Sequence, residues 1–253
     1  MVATLLCIAS LAASPALEQA YTGANAAYEA GRFQDAARMY GEIIDAGIAD
    51  AAVFYNLGNA RFRLGELGPA IANYERALQL DPRFDGAQEN LRYAVAATQH
   101  RLARPLRDNW REALLFWDNN LRPAEARWGG LLLWVAFWGV VLARYLRRDR
   151  RLTAAAVLLL LASTALLTSN FAKQFPLPLA VASADTIAVR TGMTADDTVR
   201  YELQPGDRVR IQDTRPDWLL VSTVNGDRGW ARAEAFTIVG PPYVSQSREA
   251  SNP

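Results

Sequence analysis

The chain has 253 residues and a formal net charge of +1, from 27 Lys and Arg against 26 Asp and Glu. That balance leaves no global basic character of the kind nucleic-acid binding demands. One cysteine, Cys7, and one histidine, His100, exclude an internal disulfide and an ordinary zinc site.

The hydrophobic content of 51% is unevenly spread. It concentrates at the N-terminus and between Trp128 and Phe171. Residues 1–16 read as a signal peptide, with an apolar core over 2–13 and a small-x-small site at Ser14-Pro15-Ala16. The start lacks Lys and Arg, so an uncleaved anchor is the alternative. Leu6 precedes Cys7 where a lipoprotein signal has a small residue, which argues against a lipid anchor there.

Residues 17–104 carry an internal repeat. Shifting the chain by 34 positions places Gly65 on Gly31, Leu67 on Phe33, Ala70 on Ala36 and Tyr74 on Tyr40, and Asn56-Leu57 on Asn90-Leu91. This period is that of the tetratricopeptide repeat. Phe54, Leu57, Leu64, Leu67, Tyr74, Ala77 and Leu78 form apolar stripes at helical spacing, and Gly58 and Ala70 are small where paired helices must touch. Gly65 ends one helix and Asp81-Pro82 the next. The first repeat spans about 17–50, the second is the most complete, and the third keeps only a capping helix over about 83–102. The reading is an α-helical tetratricopeptide repeat solenoid. Such repeats bind protein segments on a concave face and have no catalytic chemistry of their own. By register, Tyr21, Asn25, Tyr28, Tyr55, Asn59, Phe62 and Arg63 form a partner-binding groove; Tyr28 and Phe62 alternatively fill space between repeats. Asn25 and Asn56 suit a clamp on a C-terminal carboxylate, but Tyr21, Gly86 and Asn90 stand at its basic positions. An aromatic, hydrogen-bonding groove for an extended or helical segment fits better.

Residues 105–127 form an amphipathic connector. Trp110, Leu114, Trp117 and Leu121 share one helical face, either lying on a membrane or packed on the repeats. Residues 128–146 and 152–171 each approach the ~20 apolar residues that cross a bilayer, giving a two-helix transmembrane hairpin. The loop at 147–151 adds Arg147, Arg148, Arg150 and Arg151 to Arg144, a topogenic cluster that places the loop in the cytoplasm. The repeats and the C-terminal module then both lie in the periplasm of a bacterial inner-membrane protein.

Residues 180–240 change character. Strands are expected over 186–189, 208–213, 218–224 and 229–231, with turns at Pro205-Gly206-Asp207 and Asn225-Gly226-Asp227. Together they suggest a small all-β barrel. The runs Ala188-Val189-Arg190-Thr191-Gly192, Leu203-x-x-Gly206-Asp207-x-Val209, Trp218-Leu219-x-Val221 and Gly229-Trp230 resemble a bacterial SH3-like domain. Trp218 and Trp230 offer an aromatic surface, or Trp230 plugs the barrel end. The tail over 241–253 is polar and reads as disordered.

The order of signal segment, repeats, hairpin and SH3-like domain resembles the E-type membrane proteins of the Bacteroides aerotolerance (Bat) group, with NLGNARFRLGELGPAIANYERALQLDP carrying most of the likeness. The resemblance implies an envelope complex with MoxR-type ATPases and von Willebrand A-domain membrane proteins, in assembly, metal insertion or stress tolerance. No phosphate loop, cofactor motif or nucleophile–base pair is present, and Asp196-Asp197 reads as a solvated turn. The expectation is therefore a non-enzymatic membrane scaffold without cofactor or metal. The alternative is a cell-wall-binding or sensory protein whose SH3-like domain reads peptidoglycan.

Overall fold

A computed structural model describes residues 15–100, 121–174 and 179–241. The signal segment up to residue 14, the connector residues Trp110, Leu114 and Trp117, and the tail beyond 241 lie outside the described residues. Seven helices are described: α1 Pro15–Glu29, α2 Phe33–Asp45, α3 Ala51–Arg63, α4 Leu67–Leu80, α5 Asp85–Ala97, α6 Pro123–Arg147 and α7 Leu152–Gln174. Seven strands follow: β1 Leu179–Ala182, β2 Ile187–Arg190, β3 Val199–Leu203, β4 Arg208–Arg215, β5 Trp218–Ser222, β6 Arg228–Arg232 and β7 Phe236–Val239. The chain divides into two compact units, one of residues 1–78, 84–105 and 178–253, the other of residues 79–83 and 106–177.

In the first unit α1/α2 and α3/α4 are helix pairs, and α5 begins a third. The turns inside the two pairs use Gly31 and Gly65, at φ 73° and 81°, a left-handed conformation that glycine adopts without a Cβ penalty. Asp50 caps α3 by accepting from the Ala52 and Val53 backbone N–H groups at 2.8 and 3.2 Å. Gly58 lets α4 approach closely, because a Cβ there would stand 2.7 Å from the Tyr74 ring.

The strands form one antiparallel sheet in the order β3-β2-β6-β5-β4-β1-β7. The expected closed SH3-like barrel is corrected here: the ladder ends on β3 and β7 and does not close. The physical reason lies in β1 and β7, which the sequence reading missed along with β3. All four residues of β1 are buried. Ala180 and Ala182 face the sheet's own core with Val189, Val209, Leu219 and Val221. Leu179 and Val181 face the opposite way, into a cluster with Ala70, Ile71, Ala72 and Tyr74 of α4, joined by Val239 of β7. The helix thus covers the outer face of β1 and meets the edge strand β7; covering an edge with a helix is one way of protecting it.

α4 accordingly lacks a solvent face: residues Gly68 to Ala77 are all buried. Its counterpart α2 differs. One repeat earlier, Arg38 and Glu42 stand exposed and pair with each other, where α4 has the fully buried Ala72 and Arg76. Arg76 donates from Nε and Nη2 to the Ile238 carbonyl on β7 at 3.2 and 2.6 Å. Arg208 on β4 donates to the buried Glu75 carboxylate. Gly68 leaves no room for a side chain, since a Cβ would lie 2.1 Å from the Ala182 carbonyl oxygen. After α5, His100 Nδ1 lies 2.7 Å from the buried Asp207 carboxylate in the β3–β4 turn.

The second unit holds α6 and α7, both long and apolar enough to cross a membrane. α6 begins at Pro123, five residues before the span read from sequence, because Pro123 suits a first helical turn and the Arg122 N–H donates to Glu125 Oε2. Ser163 donates to the Gly130 carbonyl at 2.9 Å. Gly130 is a contact point, as a Cβ there would meet Leu167 at 2.8 Å. A small residue at such a contact lets two apolar helices approach closely. Leu132, Val135, Leu146, Leu158 and Leu161 point outward and are exposed.

Candidate protein-binding groove

The groove expectation falls on α1, α3 and α5, the first helices of successive pairs. Two hydrogen-bond clusters one repeat apart organise it. In the first, Asn25 Oδ1 accepts from the Tyr40 hydroxyl at 2.5 Å and from Asn56 Nδ2 at 3.3 Å, and Asn56 Nδ2 also donates to the Tyr21 hydroxyl at 2.9 Å. In the second, Asn59 Oδ1 accepts from the Tyr74 hydroxyl at 2.9 Å and from Asn90 Nδ2 at 2.7 Å, and Asn90 Nδ2 reaches the Tyr55 hydroxyl at 3.3 Å. Each residue of the second cluster lies 34 positions after its equivalent in the first. The clusters therefore join α1, α2 and α3, then α3, α4 and α5.

Burial further disfavours ionisation of the two core phenols. Tyr40 sits in the core beside Tyr21, and desolvation pushes its phenol up to about 12. Burial raises Tyr74 further, with Tyr55 adding to the effect. Both phenols stay neutral donors at any physiological pH, which keeps Asn25 and Asn59 as their acceptors.

Tyr21, Asn25, Tyr55 and Asn59 are thus brought together in two groups and remain half-buried. The other three groove residues are placed differently. Tyr28 packs edge-on against Phe33 with ring centroids 5.2 Å apart. Phe62 lies against the α4–sheet cluster. Tyr28 thus packs within the first helix pair, and Phe62 packs toward α4 and the sheet. Arg63 is exposed and holds its guanidinium 4.3 Å over the Phe33 ring. Asn56, Asn90 and Tyr40 were not among the groove residues read from sequence; their coincidence at the 34-residue shift was the available signal.

A shallow depression on α1 is lined by Glu18, Gln19, Thr22, Gly23 and Ala26. One repeat later these positions hold Ala52, Val53, Asn56, Leu57 and Ala60 on α3, beside α2. The depression therefore lies on the face of α1 equivalent to the one that α3 sets beside α2, with polar or small residues in place of Val53 and Leu57.

On the sheet, Trp218 and Trp230 are half-buried and belong to neither core cluster. Trp218 pairs across the ladder with Arg232, and Leu220 with Trp230. The Arg232 guanidinium lies 4.5 Å over the Trp218 ring. Trp230 points away from the core that Gly229 and Ala231 face, so it does not plug the sheet's interior. Among the described residues no group of three or more His, Cys, Asp or Glu side chains could hold a metal ion.

Residues 51–84, covering α3, α4 and the turn after them, match the tetratricopeptide repeat family. The structure repeats this helical pair in α1/α2. Repeats of this family are protein-interaction modules. No curated protein matches the chain.

Proposed function

We propose that this protein is a membrane-anchored, non-enzymatic scaffold that holds a segment of an envelope protein against the face formed by α1, α3 and α5. The observation that carries this reading is the division of the repeat surface. The chain's own sheet occupies the outer side of α4 through Glu75, Arg76 and Gly68, while Tyr21, Asn25 and Asn59 on the opposite helices stay half-exposed, and Tyr55, also half-exposed, reaches the α4–sheet cluster. A partner has that second face to use.

The same shared core bears on topology. The repeats and the sheet flank the apolar hairpin in sequence yet pack as one body, so an even number of crossings is required. With the arginine loop cytoplasmic, the whole first unit is periplasmic. The module order supports a place among the Bat-type proteins, with von Willebrand A-domain membrane proteins as partners. The sheet is the candidate SH3-like element, in an open form docked on the repeats.

Two measurements test the reading. Alkaline phosphatase fused after Val239 is expected to be active in cells; activity of a cytoplasmic reporter there instead would overturn the topology. A photo-crosslinker at Arg63, exposed and touching only Phe33 among the contacts described above, is expected to capture a von Willebrand A-domain membrane protein. Crosslinks to lipid or peptidoglycan alone would overturn the scaffold role.

A further inference from the structure

The hairpin tip combines two features. Arg144, Arg147, Arg148, Arg150 and Arg151 are all exposed. None is in an ion pair among the described residues. Arg144 Nε donates to the Thr153 hydroxyl at 2.9 Å, and the lone acidic residue, Asp149, accepts from the Arg151 backbone N–H at 2.8 Å. Arg148 takes the left-handed conformation at φ 52°, unusual for a residue with a side chain. It ends α6 and turns the chain so that the arginines of both helix ends share one small cap.

The arginines at the other end of α6 are treated differently. Arg122 pairs with Asp81 at 2.5 Å, Arg83 pairs with Glu125, and Arg127 lies over the Trp128 ring at 5.5 Å. Positive charge is compensated there and left uncompensated at the tip. Immediately behind the tip stand exposed apolar side chains, Tyr145 and Leu146 on α6 and Val157 and Leu158 on α7.

We infer that the tip is a binding site for anionic phospholipid headgroups. This rests on the membrane reading above. Within a bilayer the acyl chains of any lipid cover the apolar flank, so the guanidinium groups without ion-pair partners are what distinguish one lipid from another, and they favour an anionic headgroup held at the surface over a free phosphate that nothing retains there. An anionic phospholipid supplies both parts, a phosphate that guanidinium forks can grip with paired N–H donors and acyl chains for Leu146 and Leu158. Each arginine near an anionic surface strengthens attachment by roughly fivefold. The site therefore does more than orient the hairpin: it selects the lipids around it.

The test uses the full chain in nanodiscs of phosphatidylcholine alone, or with roughly one-fifth phosphatidylglycerol, and native mass spectrometry of the lipids retained on release. The expected result is a retained phosphatidylglycerol-to-phosphatidylcholine ratio at least ~10-fold above the ratio supplied in the bilayer. The preference should vanish when Arg147, Arg148, Arg150 and Arg151 are all changed to Gln, and weaken only partly when all four are changed to Lys. Inorganic phosphate should not compete. Equal retention of both lipids, a preference that survives the four Gln changes, or displacement of the lipid by poly-glutamate would each overturn the site. Insertion is checked separately by flotation with pure phosphatidylcholine vesicles. A chain that floats but shows no lipid preference sinks only this inference, whereas a chain that does not float sinks the membrane reading with it.

Discussion

Arg208 on β4 donates from Nη1 to Glu75 Oε1 on α4 at 3.0 Å, with the two side chains 10% and 2% exposed. The pair joins elements separated by the whole hairpin. Taking two charges out of water is costly, and removing one partner takes from the other its buried counter-charge, which costs more than removing both.

Arg208→Ala or Glu75→Ala is expected to destabilise the first unit by about 3–5 kcal/mol. Changing both together, Glu75→Leu with Arg208→Met, should recover most of that loss, because an apolar pair of similar volume avoids the desolvation cost. Denaturant unfolding of the full chain in detergent would check this. Equal losses in the single and double variants would show that the pair is not the determinant.

Gly68→Ala tests the approach of α4 to β1. Its Cβ would press on the Ala182 carbonyl oxygen at 2.1 Å, a backbone contact that cannot rotate away. Overpacking of this kind costs about 1–3 kcal/mol. Hydrogen exchange should accelerate in β1 and β7 while α1 and α2 stay protected. Uniform acceleration would mean that the contact does not separate the sheet from the repeats.

Asn25 and Asn59 each satisfy two donors. Asn59→Ala is expected to cost about 1–3 kcal/mol by stranding the buried Tyr74 hydroxyl, and Asn25→Ala a similar amount through Tyr40. Tyr74→Phe with Asn59→Ala should be milder than Asn59→Ala alone, since the orphaned donor is gone. A double-mutant cycle with no coupling would remove the hydrogen bond from the account. These positions are therefore poor probes of partner binding, and Arg63 is the better one.

Alkali should unfold the first unit. Tyr40 and Tyr201 are both raised from 10.0 to about 12, by burial first, with Tyr21 adding at Tyr40 and Asp227 at Tyr201. The unfolded chain releases these protons near pH 10, while the folded chain keeps them. Stability is fully present below pH 10 and declines as pH rises toward 12. The last part of the tyrosinate absorbance, that of the buried phenols, should appear together with loss of helical circular dichroism. Phenolate formation complete near pH 10 with helices intact would contradict the burial of these rings.

The repeats and the hairpin were legible because their signals are local. A 34-residue shift aligns Tyr21 with Tyr55 and Asn25 with Asn59, and an uninterrupted apolar run of bilayer length needs no partner to be recognised. The sequence also marked four strands, over 187–190, 208–215, 218–222 and 228–232, close to where their alternation placed them. Tertiary structure alone decided the fate of α4 and of the barrel. Glu75 and Arg76 look like ordinary solvent-facing charges, and on α2 the equivalent of Arg76, Glu42, is solvated. They are buried because Leu179, Val181 and Val239 arrive from a segment more than a hundred residues later, carrying Arg208 and the Ile238 carbonyl to meet them. Burial of a charge depends on which distant group neutralises it, and no periodicity within a helix encodes that. The same encounter covers the β7 end of the sheet, which is open where a closed barrel was expected, and an edge strand can be covered by a helix as well as by another strand.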